Sequence, residues 1–195
     1  SFTMSGGSIT GNTATGGGFS STGKGGGVYV SGGSTFTMTG GSIADNSATE
    51  GSSSYTGYGG GVYVSSGSTD ATFTMSGGSI TDNTATQYGG GVYVDGSFDA
   101  SGSACITDNM AGYGGGVYAA TSDKVTMTGN VSIADNTAGN GGGVYVDGGK
   151  LTVSGSVSIA GNKATRSGGG ISISAGDLAV SDSVKISGNT AGQYG

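Results

Sequence analysis

A glycine triplet followed by alternating apolar residues recurs along this chain of 195 residues and limits its fold more than any other feature. Gly-Gly-Gly-Val-Tyr-Val begins at Gly25, Gly59, Gly89 and Gly141, with variants at Gly114 and Gly168, at steps of 34, 30, 25, 27 and 27 residues. A second signature sets an Ile three residues before an Asn that precedes an Ala by two, and it places Asn12, Asn46, Asn83, Asn109, Asn136, Asn162 and Asn189 in equivalent positions. A third is apolar-x-apolar, as in Phe2-Thr3-Met4, Phe36-Thr37-Met38 and Leu151-Thr152-Val153. Repetition on this scale means units that bury their apolar faces only against neighbouring copies.

Within each signature the period is two, the mark of a strand with one buried face. Three such pieces in about 27 residues, separated by Gly- or Asn-containing turns, predict an all-β fold. It is a right-handed parallel β-helix, or β-solenoid, with three short strands per coil and about 6–7 coils. The 47 glycines and only two leucines exclude helices carrying a continuous apolar stripe. Residues 1–195 read as a single repeat array. The distance from Asn to the next triplet is 13 residues at Asn12 and Asn46 but five or six afterwards, which puts surface-loop insertions near 16–24 and 50–58. Ser1 enters midway through a unit, and Gln193-Tyr194-Gly195 repeats Gln87-Tyr88-Gly89 at the start of a triplet. The expectation is an excerpt of a longer protein, or subunits that stack end to end through their open coils.

Six basic against twelve acidic side chains give a net charge of −6, so nucleic acid is not an expected partner. No apolar run approaches the roughly 18 residues of a membrane span, so no membrane insertion of this segment is expected. With no His and one Cys, the chain cannot assemble a Ser-His or Cys-His dyad, an internal disulfide or a zinc site of the usual kind. No cofactor and no catalytic residue is expected. Residues 18–24, Gly-Phe-Ser-Ser-Thr-Gly-Lys, imitate a P-loop, but Gly25 replaces its metal-binding hydroxyl and no helix follows. Cys105 takes a position otherwise held by Ser in most units and reads as an outward, incidental thiol.

Stacked coils turn each repeated position into a column. The seven Asn form a structural ladder of side-chain amides, with Ala14, Ala48, Ala85, Ala111, Ala138, Ala164 and Ala191 tucked inside the same corner. Asp45, Asp82, Asp108 and Asp135 precede that Asn where other units have Gly11, Gly161 and Gly188, the interchange of a turn position; calcium binding is the minor reading of this acidic column. Tyr29, Tyr63, Tyr93, Tyr118 and Tyr145 form an outward column ending at Ser172, read as a stabilising ladder and a candidate contact surface. Thr3, Thr37, Thr39, Thr74, Thr126, Thr128 and Thr152 belong to an outward hydroxyl lattice that Asp99 and Ala179 interrupt. Its spacings, about 7 Å along a strand and about 4.8 Å across strands, make it a candidate ice-binding face.

The Gly-Gly-Gly-Val and Ile-x-x-Asn pair resembles the GGA[IL] and FxxN repeats of chlamydial polymorphic outer-membrane proteins and of related adhesin-like repeat proteins. Ile stands here where Phe is usual, and Val where Ile is usual. The resemblance implies a right-handed parallel β-helix at a cell surface, serving as stalk or adhesin. The function expected on these grounds is a non-enzymatic structural or adhesive segment, extracellular or at the cell surface, with a glycan or a host-surface protein as partner. Ice binding through the Thr/Ser face is the alternative, and polysaccharide binding or processing a second.

Overall fold

The computed structural model describes residues 1–17, 22–50, 56–120 and 124–195. Every regular element among them is a strand, and the strands of the three main sheets pair in parallel, each with its copy in the next coil. The pairing is residue for residue. Phe2, Phe36, Phe73, Phe98, Val125, Leu151 and Leu178 form one continuous column. Ile9, Ile43, Ile80, Ile106, Ile133, Ile159 and Ile186 form another. The stacked β-solenoid with three sides per coil is therefore the observed architecture.

The distribution of signatures over the three sides differs from the simplest reading of the sequence. The Val-Tyr-Val and Phe-Thr-Met pieces, separate strands in the first coils, belong to one eleven-stranded sheet. They fuse into the ten-residue strands Val144–Val153 and Ile171–Val180, whose register shifts on either side of Asp147 as the chain bends between the two pieces. The Ile signature makes the second side. The third side is a seven-stranded sheet built on the Ala of the Asn-x-Ala element, from Thr13–Thr15 to Thr190–Ala191. The inward residue of each of its described strands is Ala, and Ala48, Ala85, Ala111, Ala138 and Ala164 are buried.

Alternation fills the shaft. Phe36, Phe73 and Phe98 stack inside with ring centroids 4.7 and 4.9 Å apart, and Met38, Met75 and Met127 line the same sheet. The Ile column and the Val pairs of the Val-Tyr-Val strands close the core. Each such side chain contributes about 1.5–3 kcal/mol on burial, so a chain this poor in large apolar residues stays folded by placing them all in one line.

The corner between the second and third sides is held by the asparagines. Each main-chain N–H from Asn12 to Asn162 donates to the side-chain oxygen of the next Asn, at 2.9–3.0 Å. The side-chain Nδ2 donates to that same oxygen. From Asn46 onward, Nδ2 also donates to the carbonyl of the Ile in the preceding coil. Asn46, Asn83, Asn109, Asn136 and Asn162 are all but sealed from solvent, so these bonds meet the requirement that buried polar groups be paired.

The glycine triplet packs against this corner. Its first residue has positive φ, 62–65° at all six positions. Its third lies against the amide: a Cβ on Gly91 would come 2.7 Å from the Gly116 carbonyl and 3.1 Å from Asn109 Nδ2, and Gly116 and Gly143 meet the same obstacles. The two signatures occur together because the amide ladder needs a backbone without side chains against it.

Candidate functional site

The outer face of the Val-Tyr-Val strands carries the most elaborate side-chain arrangement outside the core. Tyr29, Tyr63, Tyr93, Tyr118 and Tyr145 stack with centroids 5.1, 5.0, 5.2 and 5.4 Å apart and planes within 9° of parallel. A second row runs beside it, made by the residue that immediately precedes each triplet and by Tyr194 before Gly195: Lys24, Tyr58, Tyr88, Tyr113, Asn140, Ser167 and Tyr194 follow one another in register. Tyr58, Tyr88 and Tyr113 stack at 5.2 and 5.4 Å.

The two rows meet edge to face or tilted. Tyr58 meets Tyr93 at 5.0 Å and 70°, Tyr88 meets Tyr118 at 4.7 Å and 58°, and Tyr113 meets Tyr145 at 5.3 Å and 75°. The Lys24 ammonium lies 4.9 Å from the centre of the Tyr63 ring, where the ring quadrupole attracts it. This packing leaves the outward first row only partly exposed. Tyr29 is 51% exposed, but Tyr63 and Tyr118 are only 4% and 5% exposed, because the second row covers them. The second row left a trace in the sequence, a Tyr directly before three of the triplets, but its position lies outside the alternating strand pattern.

Burial acts on three of the phenols. It pushes the hydroxyl of Tyr63 well above its ordinary range, with the nearby Asp95 carboxylate adding to the effect. Tyr118 is raised by burial and by the bond its hydroxyl donates to Asp147 Oδ2 at 2.7 Å, and Tyr88 is raised mainly by burial. Asp147 also accepts a bond from Ser174 Oγ at 2.6 Å. The carboxylate thus ties the tyrosine column to the following coil where the aromatic row gives way to Ser172.

The remaining candidates are placed as follows. Asp45, Asp82, Asp108 and Asp135 have φ of 55–57°, and Gly11, Gly161 and Gly188 take the same left-handed conformation at 64–68°, so Asp and Gly interchange because both tolerate it. These carboxylates are exposed, and among the described residues no three His, Cys, Asp or Glu side chains converge on a point that could hold a metal ion. Thr3, Thr37, Thr74, Thr126 and Thr152 share one column of the Phe sheet, interrupted at Asp99 and Ala179; Thr39 and Thr128 continue their strands. Cys105 is a free, half-exposed thiol between Ser79 and Ser132. The P-loop-like stretch lies partly outside the described residues, at 18–21, as do parts of both insertions, 18–21 and 51–55. The rejoining ends, Gly23–Lys24 and Gly57–Tyr58, pair in parallel against the shaft.

Residues 124–147 and 156–174 match the repeat of the Chlamydia polymorphic membrane protein. No curated protein and no solved structure matches the chain. The matched stretches hold the Gly141 and Gly168 triplets, the Ile133–Asn136 and Ile159–Asn162 elements and the fused strand Val144–Val153 up to Asp147.

Proposed function

We propose that the chain is a stiff, non-enzymatic segment of a secreted or cell-surface protein, acting as a stalk with an adhesive flank. The observation that carries this reading is the match to a membrane-protein repeat in a chain whose amide ladder runs unbroken from Asn12 to Asn189. A rod built this way displays any side-chain column at constant spacing, which suits repeated weak contacts along a partner. The flank available for contact is the exposed Tyr29 together with the half-buried row of Tyr58, Tyr88 and Tyr113. Ring edges joined to hydroxyls suit the polar rim and aromatic anchors of recognition surfaces. The partner class is a glycan or a protein of another cell's surface.

The test is adhesion of beads coated with the 195-residue chain to mucin-coated glass and to epithelial monolayers, under flow. Wild-type beads are retained above bare beads. The combined Tyr29→Ser and Tyr113→Ser variant loses that retention while keeping a cooperative thermal transition. Retention equal to bare beads on both surfaces would refute the adhesive flank.

A further inference from the structure

The second tyrosine row offers a chemistry that neither stalk nor adhesive surface requires. One-electron oxidation of a phenol puts spin on the ring carbons ortho to the hydroxyl, and two such rings held side by side couple there. Tyr58, Tyr88 and Tyr113 are held side by side: consecutive coils bring them into backbone register with centroids 5.2 and 5.4 Å apart and planes 12° and 29° from parallel. One flank packs on Tyr93, Tyr118 and Tyr145, which fixes the order of the row; each ring is partly open to solvent, so an oxidant reaches it. The first row is less suited. Tyr63 and Tyr118 are buried, and the Tyr118 hydroxyl is engaged by Asp147.

We propose that Tyr58, Tyr88 and Tyr113 are a site of oxidative modification, in which hydrogen peroxide and a haem peroxidase join neighbouring members as dityrosine staples between consecutive coils. Each phenol gives up one electron and its hydroxyl proton. The two phenoxyl radicals form one carbon–carbon bond between their ortho carbons, and the hydrogens displaced there return to the two oxygens as the rings regain aromaticity. The two electrons and two protons reduce one peroxide to two waters. Coupling within the row outruns coupling between molecules because the partner ring is already in place.

The experiment exposes the whole chain, at high dilution, to a haem peroxidase and hydrogen peroxide. It reads dityrosine fluorescence, intact mass, peptide-mapped linkage and melting temperature. The expected product is a monomer lighter by two hydrogens per bond, linked Tyr58–Tyr88 or Tyr88–Tyr113, and melting higher than the untreated protein. Tyr88→Phe keeps the ring and removes the phenol shared by both links, so fluorescence falls to the level of the wild-type chain incubated without peroxide. Tyr58→Phe abolishes only the first link, which keeps the test decisive should Tyr88→Phe fold poorly. Dityrosine confined to covalent dimers, linkage through other tyrosines, or oxygenated monomers without loss of hydrogen would overturn the proposal. Because the readouts are covalent, they are independent of whether coated beads adhere.

Discussion

The asparagine corner and the tyrosine flank repeat along the same axis, yet they are held to different standards. At the corner the residue never changes over seven coils, and each amide from Asn46 to Asn162 is bonded to the coil on either side, with Asn83, Asn109 and Asn162 also bonding the carbonyl two residues back. On the flank the first row ends at Ser172, and the second alternates Lys24, three tyrosines, Asn140, Ser167 and Tyr194. A buried amide has no substitute of the same shape that satisfies the same partners. A ring outside the shaft needs only a neighbour to stack on. Invariance marks where the fold has no alternative, and variation marks where the surface is free to acquire a role.

The contrast is broken most severely at the corner itself. Asn83→Leu strands the Asn46 main-chain N–H and removes one bond each from Asn46 Nδ2, the Ile43 carbonyl and the Thr81 carbonyl, the last of which keeps the Asp45 N–H. At about 1–3 kcal/mol for a buried group left without a partner and about 1 kcal/mol for each further bond, the loss is about 3 kcal/mol or more, read by urea denaturation. Gly90→Ala tests the triplet packed there: its Cβ would lie 2.5 Å from the Gly115 carbonyl and 2.6 Å from the Met110 main-chain nitrogen, neither of which can swing aside. A cost of about 2 kcal/mol is expected by the same measurement.

The flank responds less. Tyr118→Phe keeps the stack and removes one bond to a carboxylate, for a loss of about 1.5 kcal/mol. Tyr145→Leu removes stacking on Tyr118 and costs about 1 kcal/mol. Alkaline pH sharpens the point. The fold raises the Tyr63 and Tyr118 hydroxyls, so it holds their protons more tightly than the unfolded chain does. Their contribution is complete below about pH 10, where free tyrosine titrates, and is lost as pH rises beyond it. Melting temperature followed from neutral to strongly alkaline pH should fall above that point, and Tyr63→Phe should shallow the fall. The smallest effect belongs to Asp108→Gly, which preserves the left-handed turn at φ 57° and should shift stability by less than about 0.5 kcal/mol. Calcium should leave the melting temperature of both proteins unchanged.

How much of this was legible in the sequence follows from the same division. The Ile, Asn and Phe columns announce themselves because burial restricts each position to one shape, and strict spacing survives both insertions. The turn at Asp108 and its equivalents was readable from the interchange with Gly, two residues that share little except tolerance of positive φ. The third side of the shaft was harder to see, since its inward residue is only Ala and a single methyl gives no hydrophobic signal. The fusion of two signatures into Val144–Val153 depends on how the chain bends at Asp147, which no period encodes. The second tyrosine row was missed because Tyr58, Tyr88 and Tyr113 sit before the triplets, where three residue types alternate with tyrosine. Its consequence, the burial of Tyr63 and Tyr118, was therefore missed as well.

The central claim is that equal residues lie directly over one another from coil to coil, and the chain's single thiol offers a direct test. Cys105 lies in register between Ser79 and Ser132, one coil to either side, while Ser42 is two coils away. Adjacent coils are about 4.8 Å apart, within the Cα separation of about 4.4–6.8 Å that a disulfide spans. Under mild oxidation Ser79→Cys and Ser132→Cys should each form an intramolecular disulfide with Cys105, detected by mass and thiol titration, and Ser42→Cys should not. A bond to position 42, or none at either neighbouring position, would contradict the stacked register on which the amide ladder and both tyrosine rows depend.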